Sequence, residues 1–221
     1  MSVAILHGGT YYHAEAILGP RYRDHFDRVI YAPELEADDL DGVAVLIVPD
    51  RLNPALLRRH RPLLLQHLAR GRTLVVFAET QAHAWAPGVA WTFRPTNFWW
   101  WRQQGAEPAQ RVIRPDHELF RFVDPQATVW HFHGVLHPPP GAEALIVVPP
   151  EPGGRDEGGA LLYDDRVTTP GRLIVSTLDP FYHHGSHFMP ATTRFLDGFL
   201  PWARAAAQGE AIRRESAAAS G

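Results

Sequence analysis

The chain has 221 residues, 45% of them hydrophobic and 20% charged, which suits one sizeable α/β core and gives no reason to divide it. A formal charge of −3 without any run of like charges excludes the basic footprint of a nucleic-acid binder and a membrane-surface segment, so a small molecule or a protein is the expected partner. There is no cysteine, which excludes disulfides, thiolate metal sites and a cysteine nucleophile.

In chain order, Val3 to Leu6 reads as a short buried strand. MSVAILHGG lacks a basic n-region and so reads as that strand, not as a signal peptide. No apolar run reaches the roughly eighteen residues of a membrane span, and a cytoplasmic location is expected. The next stretch, HGGTYYHAEA, carries His7, Tyr11 and His13 as candidate substrate-binding residues. Gly8 and Gly9 permit close backbone approach and a helix start follows, so an anion could bind there. The spacing is neither a Walker loop nor a dinucleotide fingerprint. His25 to Tyr31 is the expected second strand, and Pro33 to Leu40 an acidic connector.

The stretch from Asp41 to Thr80 organises the rest. Val43 to Val48 and Thr73 to Ala78 are β-branched-rich runs flanking a helical segment, the pattern of a βαβ unit with two buried parallel strands. Asn53 is the expected cap, Pro54 suits the first turn, Gly71 the left-handed end, and Pro62 should kink or split the helix. Ligands bind outside the carboxyl ends of parallel strands, so Pro49-Asp50-Arg51 and Ala78-Glu79-Thr80 should border a site. Glu79 is the candidate general acid or base, its pKa expected to rise by desolvation in an aromatic-lined pocket. The same residue could instead cap the next helix.

Residues 81–105 have no clean period and hold five of the seven tryptophans, as expected of a loop-rich excursion over the sheet edge. Trp99 and Trp100 could stack on a ring of the substrate or close an interface, or the cluster could form a small core under a long loop. Arg111 to Val123 and Ala127 to His137 look strand-like. In Trp130-His131-Phe132-His133, alternation puts both histidines on one face. Imidazoles so placed make a half-site for a divalent metal, or a hydrogen-bonded structural pair.

Ala144 to Val148, Ala160 to Tyr163 and Leu173 to Thr177 complete the expected strands. LDPFYHHGSH follows the last of them, placing Asp179 and three histidines at a strand's carboxyl end, where α/β enzymes place catalytic residues; His183 and His184 are the candidate catalytic residues and His187 a candidate substrate contact. Gly185 argues for a loop there. Ser186 lies in HGSH and not in a G-x-S-x-G elbow. A helix should run from about Pro190 to Trp202, with residues 205–221 as a frayed tail and residues 1–204 as one domain.

LIVPDRL, a helix and GRTLVVFAET, in this order of elements, resemble the class I glutamine amidotransferase-like superfamily, and within it the trehalose-utilisation (ThuA)-like proteins. The likeness runs from about Val3 to Trp202. It implies a flavodoxin-like three-layer α/β sandwich with a mostly parallel central sheet. The Gly-rich turn at His7 to His13, the Pro115-Asp116-His117 element and the RFLDGFLPWA helix correspond to the family pattern. True amidotransferases carry a nucleophilic Cys where this chain has Ala78-Glu79-Thr80, so glutamine hydrolysis through a thioester is excluded. Two readings follow. One is an enzyme using Glu79 and histidines on a small polar or carbohydrate-derived substrate. The other is a ligand-binding or oligomerisation module, since relatives lacking the thiol, such as the trimerisation domain of some β-galactosidases, serve in binding or assembly.

Overall fold

A computed structural model describes residues 2–95, 98, 102, 104, 109–150 and 158–218, with 210–218 as backbone alone. Its centre is one mixed sheet. The parallel part is built from β1 (Ser2–His7), β2 (Arg28–Tyr31), β3 (Val43–Val48), β4 (Thr73–Val76) and β10 (Arg172–Ser176), in the order β2-β1-β3-β4-β10. Every residue of β3 and β4 is buried, because helices cover both faces and no position in either strand meets water.

A short helix, α1 (Tyr11–His13), follows β1, and the crossover from β3 to β4 follows the sequence closely. The Asn53 side chain accepts a hydrogen bond from the Ala55 amide at 2.9 Å and Pro54 occupies the first turn. The helix is two pieces, α2 (Pro54–Arg59) and α3 (Arg61–Ala69), broken at His60 just before Pro62, which has no amide to donate. Gly71 ends it at φ 71°. Leu57, Leu64 and Leu68 bury against Ala4, Leu6, Leu46 and Val48 on one face of the sheet. The other face packs Val3, Ile5, Val45 and Ile47 against Phe195, Phe199 and Leu200 of α5 (Pro190–Ala218). Those three layers are the expected flavodoxin-like sandwich.

Beyond β10 the sheet turns antiparallel. β9 (Gly159–Asp165) pairs with β10 and with β8 (Glu143–Val148), while β5 (Ala90–Thr92), β6 (Arg111–Val112) and β7 (Val135–His137) extend it. Three expectations need correction here. The second strand starts at Arg28 because 23–25 form a 3₁₀ turn. Of 111–123 only Arg111–Val112 is strand; 118–121 is a 3₁₀ turn whose apolar residues were mistaken for strand periodicity. The segment 127–134 is likewise not strand, since 125–128 form a 3₁₀ turn capped by Asp124. At the other end, α5 runs on to Ala218 where a frayed tail was expected, as an alanine-rich segment allows. No helix among the described residues is long and apolar enough to cross a membrane.

One buried histidine makes the packing sensitive to pH. His67 of α3 is 3% exposed and its Nε2 bonds the Thr73 carbonyl at 3.0 Å, tying α3 to β4. Burial pulls its pKa from 6.5 to about 4, against the opposing effect of that bond. The unfolded chain therefore takes up the proton first as pH falls, so this stability is complete above pH 6.5 and lost toward pH 4. Urea unfolding at pH 7.5 and 4.5 should show about 2–3 kcal/mol of acid loss in the wild type that His67→Gln does not show. Equal losses in both proteins would contradict this account.

Candidate functional site

Three neighbouring parallel strands end side by side, and hydrogen bonds between their turns hold those ends together. The Arg51 amide donates to the Ala78 carbonyl at 3.0 Å, and the Ala78 amide to that of Leu178 at 3.1 Å. Each end presents one charged side chain: Arg51 after β3, Glu79 after β4 and Asp179 after β10. Arg51 and Glu79 sit at φ 59° and 58°. Left-handed backbone in such residues costs energy that the surrounding structure must hold in place, a pattern concentrated at functional sites.

Asp179 is the hub. It is wholly buried, and its Oδ2 accepts from His133 Nε2 at 3.0 Å and Arg51 Nη2 at 3.3 Å, with His183 Nε2 at 3.1 Å. Burial alone would raise its carboxyl, but the hydrogen bonds and charges of His133 and His183 hold it well below the usual carboxylate range. Its neighbour Asp50, also fully buried, is pushed the other way by burial and by Asp179, against donations from the Phe181 and Tyr182 amides at 2.8 and 2.9 Å. Those amides open α4 (Pro180–Gly185).

His133 links two carboxylates, with Nε2 on Asp179 and Nδ1 3.5 Å from Glu79 Oε1. Arg51 Nη2 donates to Glu79 Oε2 at 2.7 Å, while its guanidinium lies over the Tyr182 ring at 3.7 Å. Glu79 is thus a third exposed and ion-paired, not the desolvated acid expected from sequence. Nor does it act as the cap of a following helix, since its carboxylate faces Arg51 and His133.

His131 and His133 both face Asp179 without a strand, while Trp130 packs on Phe195 in the core. The two histidines do not share one ligand point. His131 Nε2 meets His183 Nε2 at 2.9 Å and lies 3.8 Å from Asp179 Oδ1. Burial, and to a lesser degree the charges of His183 and His133, lower its pKa to about 4 against the pull of Asp179.

A cavity of about 690 Å³ opens beside this cluster. Glu79, His133 and Thr177 line it with Trp91, Phe93 and Phe98, an apolar wall with few polar groups, as small-molecule sites are built. Trp91 is held by its Nε1 donating to the His133 carbonyl at 2.8 Å and by stacking on His83.

The remaining candidates stand apart from this cavity. His13 is buried, accepting from the Gly8 amide at Nδ1 and donating to the Asp50 carbonyl at 2.8 Å, so it braces the turn where an anion was expected to bind. His7 packs on Tyr31, and the Tyr11 hydroxyl meets Ser186. His184 turns away, bonding Thr193 at 2.8 Å and packing on Tyr22. His187 is exposed near Glu15. The His183–His187 stretch is not the loop expected: α4 carries His183 and His184, and Gly185 is required because a Cβ there would lie 2.1 Å from the Tyr12 carbonyl. Trp99 and Trp100 lie outside the described residues. Arg51 and Asp179 complete the cluster: the sequence puts both at strand carboxyl ends bordering a site, by position alone, but assigns neither a role.

No family model matches the chain, and no curated protein does. Among solved structures it is similar to a cytoplasmic protein from Salmonella typhimurium LT2, with 11% identity, 90% of this chain and 98% of that one covered, and a TM-score of 0.55. It is also similar to the N-terminal domain of mmIFT52, with 12% identity, 91% and 97% coverage and a TM-score of 0.53. A protein described as thua-like, from Bacteroides uniformis, aligns at 13% identity over 93% and 88% with a TM-score of 0.48. At such identities the first two likenesses speak for the fold: a mixed α/β sheet between helical layers.

Proposed function

We propose that the protein is an acid–base enzyme, hydrolytic in type, for a small ring-bearing substrate such as a carbohydrate derivative. One observation carries this reading: the Glu79 carboxylate, on left-handed backbone at a parallel strand's end, borders the cavity between Arg51 and His133. Arg51 positions the Glu79 carboxylate at the cavity, where it can accept a proton from water or a substrate hydroxyl. His133 can take that proton on and Asp179 stabilises the imidazolium so formed, the division of labour of an acid–base–orienter set. In the resemblance to amidotransferase-like proteins the turn Ala78-Glu79-Thr80 corresponds to the turn that carries their thiol, so it would serve proton transfer in place of thioester chemistry.

A panel of p-nitrophenyl glycosides and esters tests this directly. Turnover should favour ring-bearing substrates, and Phe93→Ala, which removes a wall residue 72% exposed, should raise KM about 3- to 10-fold with kcat retained, the worth of one aromatic contact. No turnover across the panel, with binding of the same rings, would instead support the binding-module reading. The exposed rings of Phe93, Phe98 and Phe188 favour that second reading.

A further inference from the structure

We propose that His131 Nε2, His183 Nε2 and the Asp179 carboxylate bind one divalent transition-metal ion. The proposal goes beyond the acid–base reading and can stand or fall without it. Two segments supply the donors: the stretch before β7 carries His131, and α4 carries His183 with Asp179 at its N-cap, four residues earlier. All three side chains are at least nine-tenths buried, at 9%, 0% and 2% exposure for His131, Asp179 and His183. The two Nε2 atoms face each other at 2.9 Å, close to the roughly 3.3 Å that two imidazoles on a tetrahedral zinc would span with bonds of about 2.05 Å.

A second, independent observation points to a ligand. Asp179 Oδ1 has no hydrogen-bond partner among the described residues although the side chain is wholly buried, and it lies on the His131 side of the cluster, 3.8 Å from that Nε2. An orphaned buried carboxylate oxygen is costly unless something positive meets it. The other oxygen, Oδ2, is held by His133 and Arg51, the outer-shell support that ligating carboxylates ordinarily have, and lies 3.1 Å from His183 Nε2.

The ion belongs on this side and not between Glu79 and His133, where the Arg51 guanidinium already contacts both carboxylates at 2.7 and 3.3 Å. The other clustered donors among the described residues, His117, Glu143 and Asp164, are likewise taken: Arg172, Arg166 and His117 meet Asp164, and Arg114 pairs with Glu143. Imidazole and carboxylate without thiolate suit zinc, manganese, iron(II), cobalt or nickel, and two histidines with one carboxylate leave coordination positions open. Phe98 covers His131 and Phe188 covers His183, with ring centroids 4.7 and 4.5 Å apart, an apolar shell that limits water. His183 Nδ1 lacks a hydrogen-bond partner among the described residues. Ligation through Nε2 therefore leaves an unpaired N–H, and the missing outer-shell bond lowers affinity by about 10- to 100-fold. Weaker binding than that of a closed structural site is the consequence.

The test is a Co²⁺ titration of the untagged chain followed by visible absorption, with Zn²⁺ as competitor. One ion per chain is expected. His131→Ala, His131→Gln and His183→Ala should each weaken binding about 100-fold or more, while His184→Ala and His187→Ala, whose rings face Thr193 and Glu15, leave it unchanged. Glu79→Gln should bind the metal as wild type does, so loss of catalysis and loss of metal are read separately. Absence of a Co²⁺ spectrum at millimolar metal would overturn the proposal, as would a folded His131→Gln protein that binds like wild type.

Discussion

Replacing Asp164 with Ala is expected to cost about 3–5 kcal/mol of folding stability, the usual result of stranding a buried charge. Asp164 is 2% exposed and accepts from Arg172 Nη2 at 2.8 Å, Arg166 Nε at 2.9 Å and His117 Nε2 at 3.2 Å. Burial alone would raise its carboxyl, yet these donors hold it far below the usual range. Arg172 is itself 7% exposed and packs over the Trp202 ring, so without Asp164 its guanidinium keeps, among the described residues, only Glu118 as a charged acceptor. The network joins β9, β10 and the 3₁₀ turn at 118–121, which explains what Pro115-Asp116-His117 does here. His117 Nδ1 caps that turn through the Leu119 amide while Nε2 reaches Asp164. Urea denaturation at neutral pH measures the effect, and a loss below about 1 kcal/mol would show that the network is dispensable. Because this cluster lies apart from the cavity, turnover per folded molecule should not change.

Glu79→Gln is expected to lower kcat by about 10²–10⁴-fold, the range a positioned acid or base supplies. The amide keeps the shape and can still meet Arg51 or His133 by one polar atom, but it cannot take a proton. Stability should fall by no more than about 1 kcal/mol, the worth of a partly exposed ion pair such as that with Arg51, since a third of the side chain is exposed. Steady-state kinetics on the best substrate of the panel measure it. A variant within twofold of wild type would remove Glu79 from the chemistry.

The βαβ unit was legible because its strands are apolar at every position and its helix carries a cap, a proline start and a glycine end, each with a local physical cause. The pairing of strand ends with charged residues was legible too, through the rule that parallel sheets place sites at carboxyl edges. What could not be read was how those residues meet. Nothing in the spacing of Arg51, Glu79 and Asp179 reveals positive φ at the first two or the burial of the third, because both are imposed by packing between distant segments. Alternation at 130–133 predicted the shared side of two histidines correctly while misassigning the strand, since Trp130 and Phe132 bury in either case. Gly185 was read as a loop former, but its absent side chain makes room for the Tyr12 carbonyl, a contact invisible to local sequence.

The account turns on Glu79 and His133 acting as one proton-transfer unit. The most direct measurement is a double-mutant cycle in kcat with Glu79→Gln, His133→Ala and the pair. Groups that act together are strongly non-additive, so the double variant should be no slower than the slower single one. Losses that multiply would mean the two side chains work independently, and the Glu79–His133–Asp179 relay would have to be abandoned.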